Sequence, residues 1–565
     1  MNSSNTCDVL IIGGGLSGLT LALQLINNNS NIKVTVLEKR KVDAKEATHK
    51  VGESIAELGS IYLREKLQLA DYLDNNQLPK YGIRFFFDNS RSDKMEDRIE
   101  MGARDFNKVV VNQIDRGLFE NYLINLLRVK GVDVLLSAKV SNISLDQDIH
   151  EINYEVDNQK ELLNAKWIID SSGRNGLLRK KLNLQEPINH EINSVWFRLD
   201  ESIDIDSWSQ DKEWIIQYPP GVRKFATNHL LGEGYWMWII PLVSGATSIG
   251  VVADPEFHDF KDLNTFDKVK VFLLANEPVL GKVVAELSDK KLDFKVMKSF
   301  SHDSKAYFSK DRWGLTGDAA SFIDPLYSPG TDLIALSNTW ITKLVLDDLS
   351  GKEIKLDILV FNQVVKRMVK GWTKLYEDQY SILSKSQVMI MKVAWDWASY
   401  WSTTAFLFKN DAYSNIGFIK KYSEGNANSI GNRFDALNNS MQKLFKAWSV
   451  KDSFDYKPKN IDVFSISFLL EFQKGLLKSY NIEDTFEIVS KNLSILEGIA
   501  SEMYRIAFSK CLGQEIEHEI DPYNCCLGDT RGDLLEKAKR SHAVKKDDVL
   551  SEDLMKLIVE PQEEN

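Results

Sequence analysis

CDVLIIGGGLSGLTLALQLI, residues 7–26, is a short apolar run, then a cluster of glycines, then Leu16, Leu19, Leu23 and Ile26 at helical spacing. A polar loop follows, and IKVTVLEKR (32–40) reads as a second β-branched strand that ends at Glu38. The pattern predicts β-α-β over residues 7–40, with Gly13, Gly15 and Gly18 at the first turn. Each glycine has its own reason: Gly13 permits a tight turn, Gly15 lets the backbone approach a pyrophosphate, and Gly18 lets the helix pack on the sheet. The helix N-terminus offers unpaired N–H groups and partial positive charge to phosphates. Glu38 closes the next strand 20 residues after Gly18, where an acidic side chain accepts hydrogen bonds from a ribose. The segment therefore predicts a dinucleotide site.

Working outward, 565 residues are too many for one ordinary core and predict two or three lobes. A hydrophobic share of 43% with 27% charged residues fits a globular chain. A net charge of −11 gives no basic field for nucleic acid. Cys7, Cys511, Cys525 and Cys526 lack the spacing of a disulfide framework and read as reduced thiols of a cytoplasmic protein. No Cys/His grouping has metal-ligand spacing. The N-terminus runs straight into a strand, without the charged, apolar and cleavage regions of a leader. VMIMKVAWDWASYWSTTAFLF (388–408) is long enough to span a bilayer, but Lys392 and Asp396 sit at i,i+4, where they could pair on one helical face, so a buried or interfacial helix is expected.

Residues from about 82 to 300 alternate repeatedly, as in GIRFFF, EWIIQY and ATSIGVV, and predict a mixed sheet. Helical periodicity takes over from about 335. The expected division is 1–345 and a mainly helical 346–565, with an acidic tail at about 543–565 expected to fray. In that region Trp397 and Trp401 share a helix face, which serves either as core or as the wall of a substrate channel.

Downstream, LTGDAASFIDPLYSPGTDLIALS (315–337) has the form strand, Gly-Asp, turn, helix. With WIIDSSGRNG (167–176) and NQIDRGLFENYL (112–123) it resembles the flavoprotein monooxygenase superfamily. The resemblance implies an α/β fold: a Rossmann-like FAD-binding domain, an inserted mixed β-sheet substrate domain and the helical C-terminal region. It further implies that Asp318 binds the ribityl chain of FAD and that Arg116 and Gln113 contact the cofactor.

GYWMWIIP (234–241) sharpens this. Trp236-x-Trp238-x-Ile240-Pro241 resembles the W-x-W-x-I-P signature of flavin-dependent halogenases, in which two indoles separate the flavin from the substrate. A half-buried aromatic strand would give the same alternation. Phe322-Ile323-Asp324-Pro325-Leu326-Tyr327-Ser328-Pro329-Gly330 fits the family's F-x-x-P-x-x-S-x-G turn against flavin and halide, and KVGESI (50–55) its segment beside the flavin ring. Lys80, in LPKYGIRFFF (78–87), takes the place of the lysine that captures or hydrogen-bonds hypohalous acid in phenol and pyrrole halogenases. The implied activity is FADH2-dependent halogenation of an electron-rich carbon, free or carrier-tethered, using O2 and halide, with FADH2 from a separate reductase.

Two positions depart from the family. Tyr327 stands where tryptophan halogenases carry a glutamate, which points away from free tryptophan toward phenols or pyrroles. Pro329 stands where the family offers a backbone N–H to halide, and proline has none. Ser328, Gly330 and Thr331 are then the expected halide contacts, in a shifted site that suits bromide or iodide better than chloride. Pro329 equally suits a flavin monooxygenase or reductase acting on a lipid or polyketide, and loss of Lys80 from a flavin-adjacent tunnel would suit a flavin-binding protein without turnover. Whether the two tryptophans face the flavin cavity or a separate core discriminates the readings.

Overall fold

A computed structural model describes residues 6–48, 50–87, 93–423, 425, 428–513, 515–528, 530–540 and 544–562. Two eight-stranded sheets organise the chain. In the first, the strand Thr6–Ile12 lies between Val34–Leu37 and Gln159–Asp170, parallel to both, and Trp313–Leu315 continues the parallel set. Val34–Leu37 is buried at every position, because helices or loops cover both faces of a parallel sheet, and such strands read as unbroken apolar runs. The helix Leu16–Asn28 packs on this sheet and against the long helix Gly330–Leu349. That contact brings the two flavin-type segments, three hundred residues apart in sequence, to one end of the sheet.

The second sheet runs Lys291–Met297, Asn193–Leu199, Thr247–Ala253, Tyr235–Pro241, Thr227–Gly232, Ile83–Phe87, Ile99–Gly102, Asn460–Asp462. Its pairings are antiparallel except Ile83–Phe87 with Thr227–Gly232 and Ile99–Gly102 with Asn460–Asp462. Strand period two sends Tyr235, Met237 and Ile239 into a satellite core under the helices Phe266–Asn276 and Pro278–Glu286. Trp236, Trp238 and Ile240 face the main core instead.

Two details of the C-terminal region differ from expectation. The strand Asn460–Asp462 belongs to the second sheet, so the division near 345 is not clean. The tail expected to fray at 543–565 is docked over residues 544–562: Asp548–Met555 is helical, Pro561 bridges to Tyr456, and Leu554, Leu557 and Val559 are fully buried. Its net acidity hid an apolar face.

Residues 388–408 are buried as expected. The helix Ser386–Ser399 passes into a π-helical turn, Tyr400–Ala405, and then into Phe406–Lys409. Lys392 Nζ donates to Asp396 Oδ2 at 2.7 Å and to Gln442 Oε1 at 2.7 Å, so the predicted pair forms inside the protein. Among the described residues no helix is long and apolar enough to cross a membrane.

Candidate active site

The glycine turn has the geometry its sequence requires. Gly13 has φ +110°, and a Cβ there would lie 2.4 Å from the Ser171 carbonyl oxygen. A Cβ on Gly18 would meet the Gly13 carbonyl oxygen at 2.1 Å, so only glycine lets helix and strand approach this closely. A Cβ on Gly15 would meet nothing within 4 Å, because that residue faces a cavity. No side chain caps the helix that starts at Leu16, which leaves its first N–H groups pointing toward that cavity. Glu38 Oε2 accepts the Gly14 N–H at 2.6 Å and Oε1 the Arg40 N–H at 2.7 Å; the carboxylate braces the turn and lines the cavity.

This cavity, about 450 Å³, continues past Arg116 and Asp318 into a second, apolar chamber. Arg116 opens the helix Arg116–Val129, donates to the Val51 carbonyl at 2.6 Å and pairs with Glu120 at 2.7 Å. Burial pushes the Asp318 carboxyl up, against the pull of Arg116, His302 and Arg174. His302 holds the Asp318 backbone, its Nε2 lying 2.9 Å from that carbonyl oxygen. Gln113 is set back from both chambers: its amide donates to Thr227 Oγ1 at 2.8 Å, bracing the wall rather than forming it.

The apolar chamber is walled by Val51–Ser54 on one side and by Trp236 and Trp238 on another. The two indoles lie 5.8 Å apart. Trp236 Nε1 donates to Tyr380 Oη at 3.0 Å, and Tyr380 donates to Asp324 Oδ2 at 2.6 Å, which ties the tryptophan to the Phe322–Gly330 turn. Trp238 lies across Gly250 of the neighbouring strand and donates to Ser248 Oγ at 3.2 Å. His229, 4.9 Å from the Trp236 ring, is pushed down to about 3 by burial and by Lys80, and is neutral. Pro325, Ser328, Gly330 and Thr331 complete the wall. Ser328 adopts φ +61°, Pro329 precedes the helix Gly330–Leu349, and no side chain caps that helix.

Beyond Pro329 lies a third chamber, about 170 Å³. An apolar cavity of about 150 Å³ holds one benzene ring, so this one takes a single aromatic ring. Lys80 is 2% exposed and lines it, donating to Ser54 Oγ at 2.7 Å and to the Ile55 carbonyl at 2.9 Å. Ser328 Oγ lies 3.0 Å from the same Ser54 hydroxyl, and Pro329 borders both chambers. The partition is thus one residue thick. Burial lowers the Lys80 amine to about 8, although Glu57 and Asp332 pull it upward. Trp397 and Trp401 stack at 5.6 Å and line this chamber, so their helix face is a cavity wall. Tyr327 also lines it and donates to Asp396 Oδ2 at 2.9 Å.

Sequence reasoning missed Glu57, Asp332 and Tyr400 on the same wall. Asp332 lies inside the quoted 315–337 segment, where it reads only as a first-turn helix residue. Among the described residues no His/Cys/Asp/Glu group is arranged to hold a metal.

The residues present fit FAD: an uncapped helix start and open glycine for the pyrophosphate, a carboxylate at the ribose position, and an apolar chamber continuous with that cavity past Arg116 and Asp318. Such a site defines a flavoprotein. The chain matches the family described as FAD binding domain over residues 6–332, more than half its length, and belongs to that family. It is similar to the flavin-dependent halogenase chlA of Dictyostelium discoideum, at 28% identity over 71% of this chain and 70% of that one. It is also similar to the 1H-pyrrole-2-carbonyl-(peptidyl-carrier protein) chlorinase of Pseudomonas fluorescens, at 25% identity over 67% of this chain and 85% of that one. The crystal structure of halogenase PltM shares the fold, with TM-score 0.62 and 18% identity over 87% of this chain and 96% of that one.

Proposed function

We propose that the protein is an FADH2-dependent halogenase of a phenol, pyrrole or similar electron-rich ring, working in the cytoplasm with a separate reductase. One observation carries the reading. Trp236 and Trp238 face the chamber that adjoins the dinucleotide cradle, while Lys80 faces a different, ring-sized chamber across a partition of Ser54, Ser328 and Pro329. A hydroxylase needs flavin and substrate in one chamber. Here a thin partition of two serines and a proline keeps them apart, and only a small carrier of oxidising power passes between them.

Bound reduced FAD supplies the activation of O2 that oxidises halide to hypohalous acid. Gly13, Gly15, Gly18, Glu38, Arg116 and Asp318 hold the cofactor, and Pro325 packs beside it. Ser328 and the N–H groups of Gly330 and Thr331 hold the halide at the uncapped helix start. Because Pro329 gives no N–H, the site favours a large, weakly hydrated ion over chloride. Lys80 receives the hypohalous acid through a hydrogen bond from its buried amine. The ring lies between Lys80 and the stacked Trp397 and Trp401. The similar carrier-protein chlorinase supports a carrier-tethered ring as well as a free one.

The test supplies purified protein with FAD, a flavin reductase, NADH, O2 and a simple phenol, with chloride, bromide and iodide in turn and Lys80→Ala as control. A halogenated product that disappears in the control is expected. Oxygen insertion in place of halogen would transfer the assignment to the monooxygenases.

A further inference from the structure

Electrophilic halogenation releases a ring proton, and Tyr327 occupies the position at which tryptophan halogenases keep an acid. We infer that Asp332 is the catalytic base of this protein, taking the ring proton in the chamber that holds Lys80. The inference rests on the proposed function and adds a residue to it.

The placement comes from the start of the helix Gly330–Leu349. Gly330 and Thr331 line the flavin-side chamber, whereas Asp332, the next residue, lines the Lys80 chamber and is 1% exposed. Its Oδ1 accepts the Gly59 N–H at 2.8 Å and its Oδ2 the Tyr400 hydroxyl at 2.7 Å. Gly59 is required for this approach, since a Cβ there would lie 2.8 Å from Thr331 Cγ2 and 3.1 Å from Asp332 Oδ1.

The other carboxylates on this wall serve less well. Asp396 is already occupied by Lys392 Nζ, by Gln442 and by the Tyr327 hydroxyl, which leaves it no free lone pair aimed at the ring. Glu57 Oε1 is engaged by the amides of Asn107 and Gln473. Asp332 has only two neutral donors, and burial together with the Glu57 carboxylate raises it to about 7, while Tyr400, Gly59 and Lys80 restrain the rise. Lys80, Glu57 and Tyr400 are the titratable groups that face it, with Tyr376 behind them.

The step balances. The ring π pair attacks the halogen of hypohalous acid, and the halogen–oxygen bond breaks with its electrons leaving on oxygen. That hydroxide takes a proton from the Lys80 ammonium and departs as water. The C–H electrons restore the aromatic ring as Asp332 takes the proton. Proton return from Asp332 to the Lys80 amine resets the pair, so arene and hypohalous acid give haloarene and water.

The experiment compares wild-type holoenzyme with Asp332→Asn and Tyr400→Phe on a simple phenol and its ring-deuterated form, with bromide, as a function of pH. Bound FAD, read by absorbance, reports folding of each variant. In the wild type, turnover should fall below pH about 7 as Asp332 protonates and above about 8 as Lys80 deprotonates. Asp332→Asn should lose roughly 100-fold in kcat, erase the acid limb and acquire a primary deuterium isotope effect absent from the wild type. Tyr400→Phe, which removes a donor to the carboxylate, should move the acid limb to higher pH. An Asp332→Asn enzyme within about threefold of wild type, with its acid limb intact, overturns the inference while leaving the halogenase reading in place. So does an unmoved acid limb in Tyr400→Phe. Oxygen insertion by the wild type in place of halogenation removes the function itself and this residue's role with it.

Discussion

Gly250→Ala probes the tryptophan wall from behind. Gly250 pairs with Trp238 across two antiparallel strands, and a Cβ on it would lie 2.2 Å from both Cη2 and Cζ2 of that indole. Ordinary carbon contact begins near 3.5 Å, so the ring must move by roughly 1.3 Å. The strand backbone is buried in the sheet, and the free direction leads into the chamber that Trp238 lines. Overpacking of this kind costs about 1–3 kcal/mol. With FAD occupying the chamber the indole has nowhere to go, so the strain falls on the complex more than on the empty protein. A loss of about 1.4 kcal/mol in the complex weakens FAD binding tenfold. The assay is FAD affinity by fluorescence quenching, together with thermal unfolding with and without FAD. Gly250→Ala should bind FAD several-fold more weakly, and the rise in Tm that FAD gives should shrink. Wild-type affinity with an unchanged Tm would mean that Trp238 does not stand between this strand and the cofactor.

Lys80 is buried with its amine lowered from 10.5 to about 8, so between those values the unfolded chain binds more protons and wild-type stability rises with pH. Lys80→Met removes that dependence: denaturant titrations should show wild type gaining about 3 kcal/mol relative to the variant between pH 8 and 10.5, and a flat difference would contradict the burial of the charge. Pro329→Ala restores a backbone donor at the helix start and should lower the halide concentration for half-maximal chlorination roughly fivefold, from a hydrogen bond worth about 1 kcal/mol. An unaltered chloride dependence would place the halide elsewhere. Removing residues 544–565 exposes partners of Leu554, Leu557 and Val559, each fully buried, and should cost at least about 5 kcal/mol in unfolding measurements. A truncated protein as stable as the full chain would refute the docking of the tail.

Legibility in the sequence followed the range of the interactions. The glycine turn is local: φ at Gly13 and the close approach at Gly18 act within a dozen residues of chain, and a strand–turn–helix pattern carries them. Trp236 and Trp238 were legible as a pair because strand alternation sends both to one face, but which face lines a chamber depended on Gly250 and on the helix Gly330–Leu349. Lys80 rested on resemblance alone, since nothing near it in sequence signals a chamber. Asp332, Glu57 and Tyr400 converge from three distant segments, and no spacing rule joins them. Gln113 lay in a matching segment, yet its side chain turns to Thr227. The tail was misread because its net charge is acidic, while three apolar residues with matching burial determine its position.

The edge strand Asn460–Asp462 bears on how the chain is made. Until the ribosome has delivered it, Ile99–Gly102 presents an unpaired strand edge, and such edges invite pairing with other chains. The sheet that carries both tryptophans therefore reaches its final width only after four-fifths of the polypeptide has been synthesised. The flavin half and the helical half share one sheet, and a gene cut at residue 345 would leave the first half with an adhesive border.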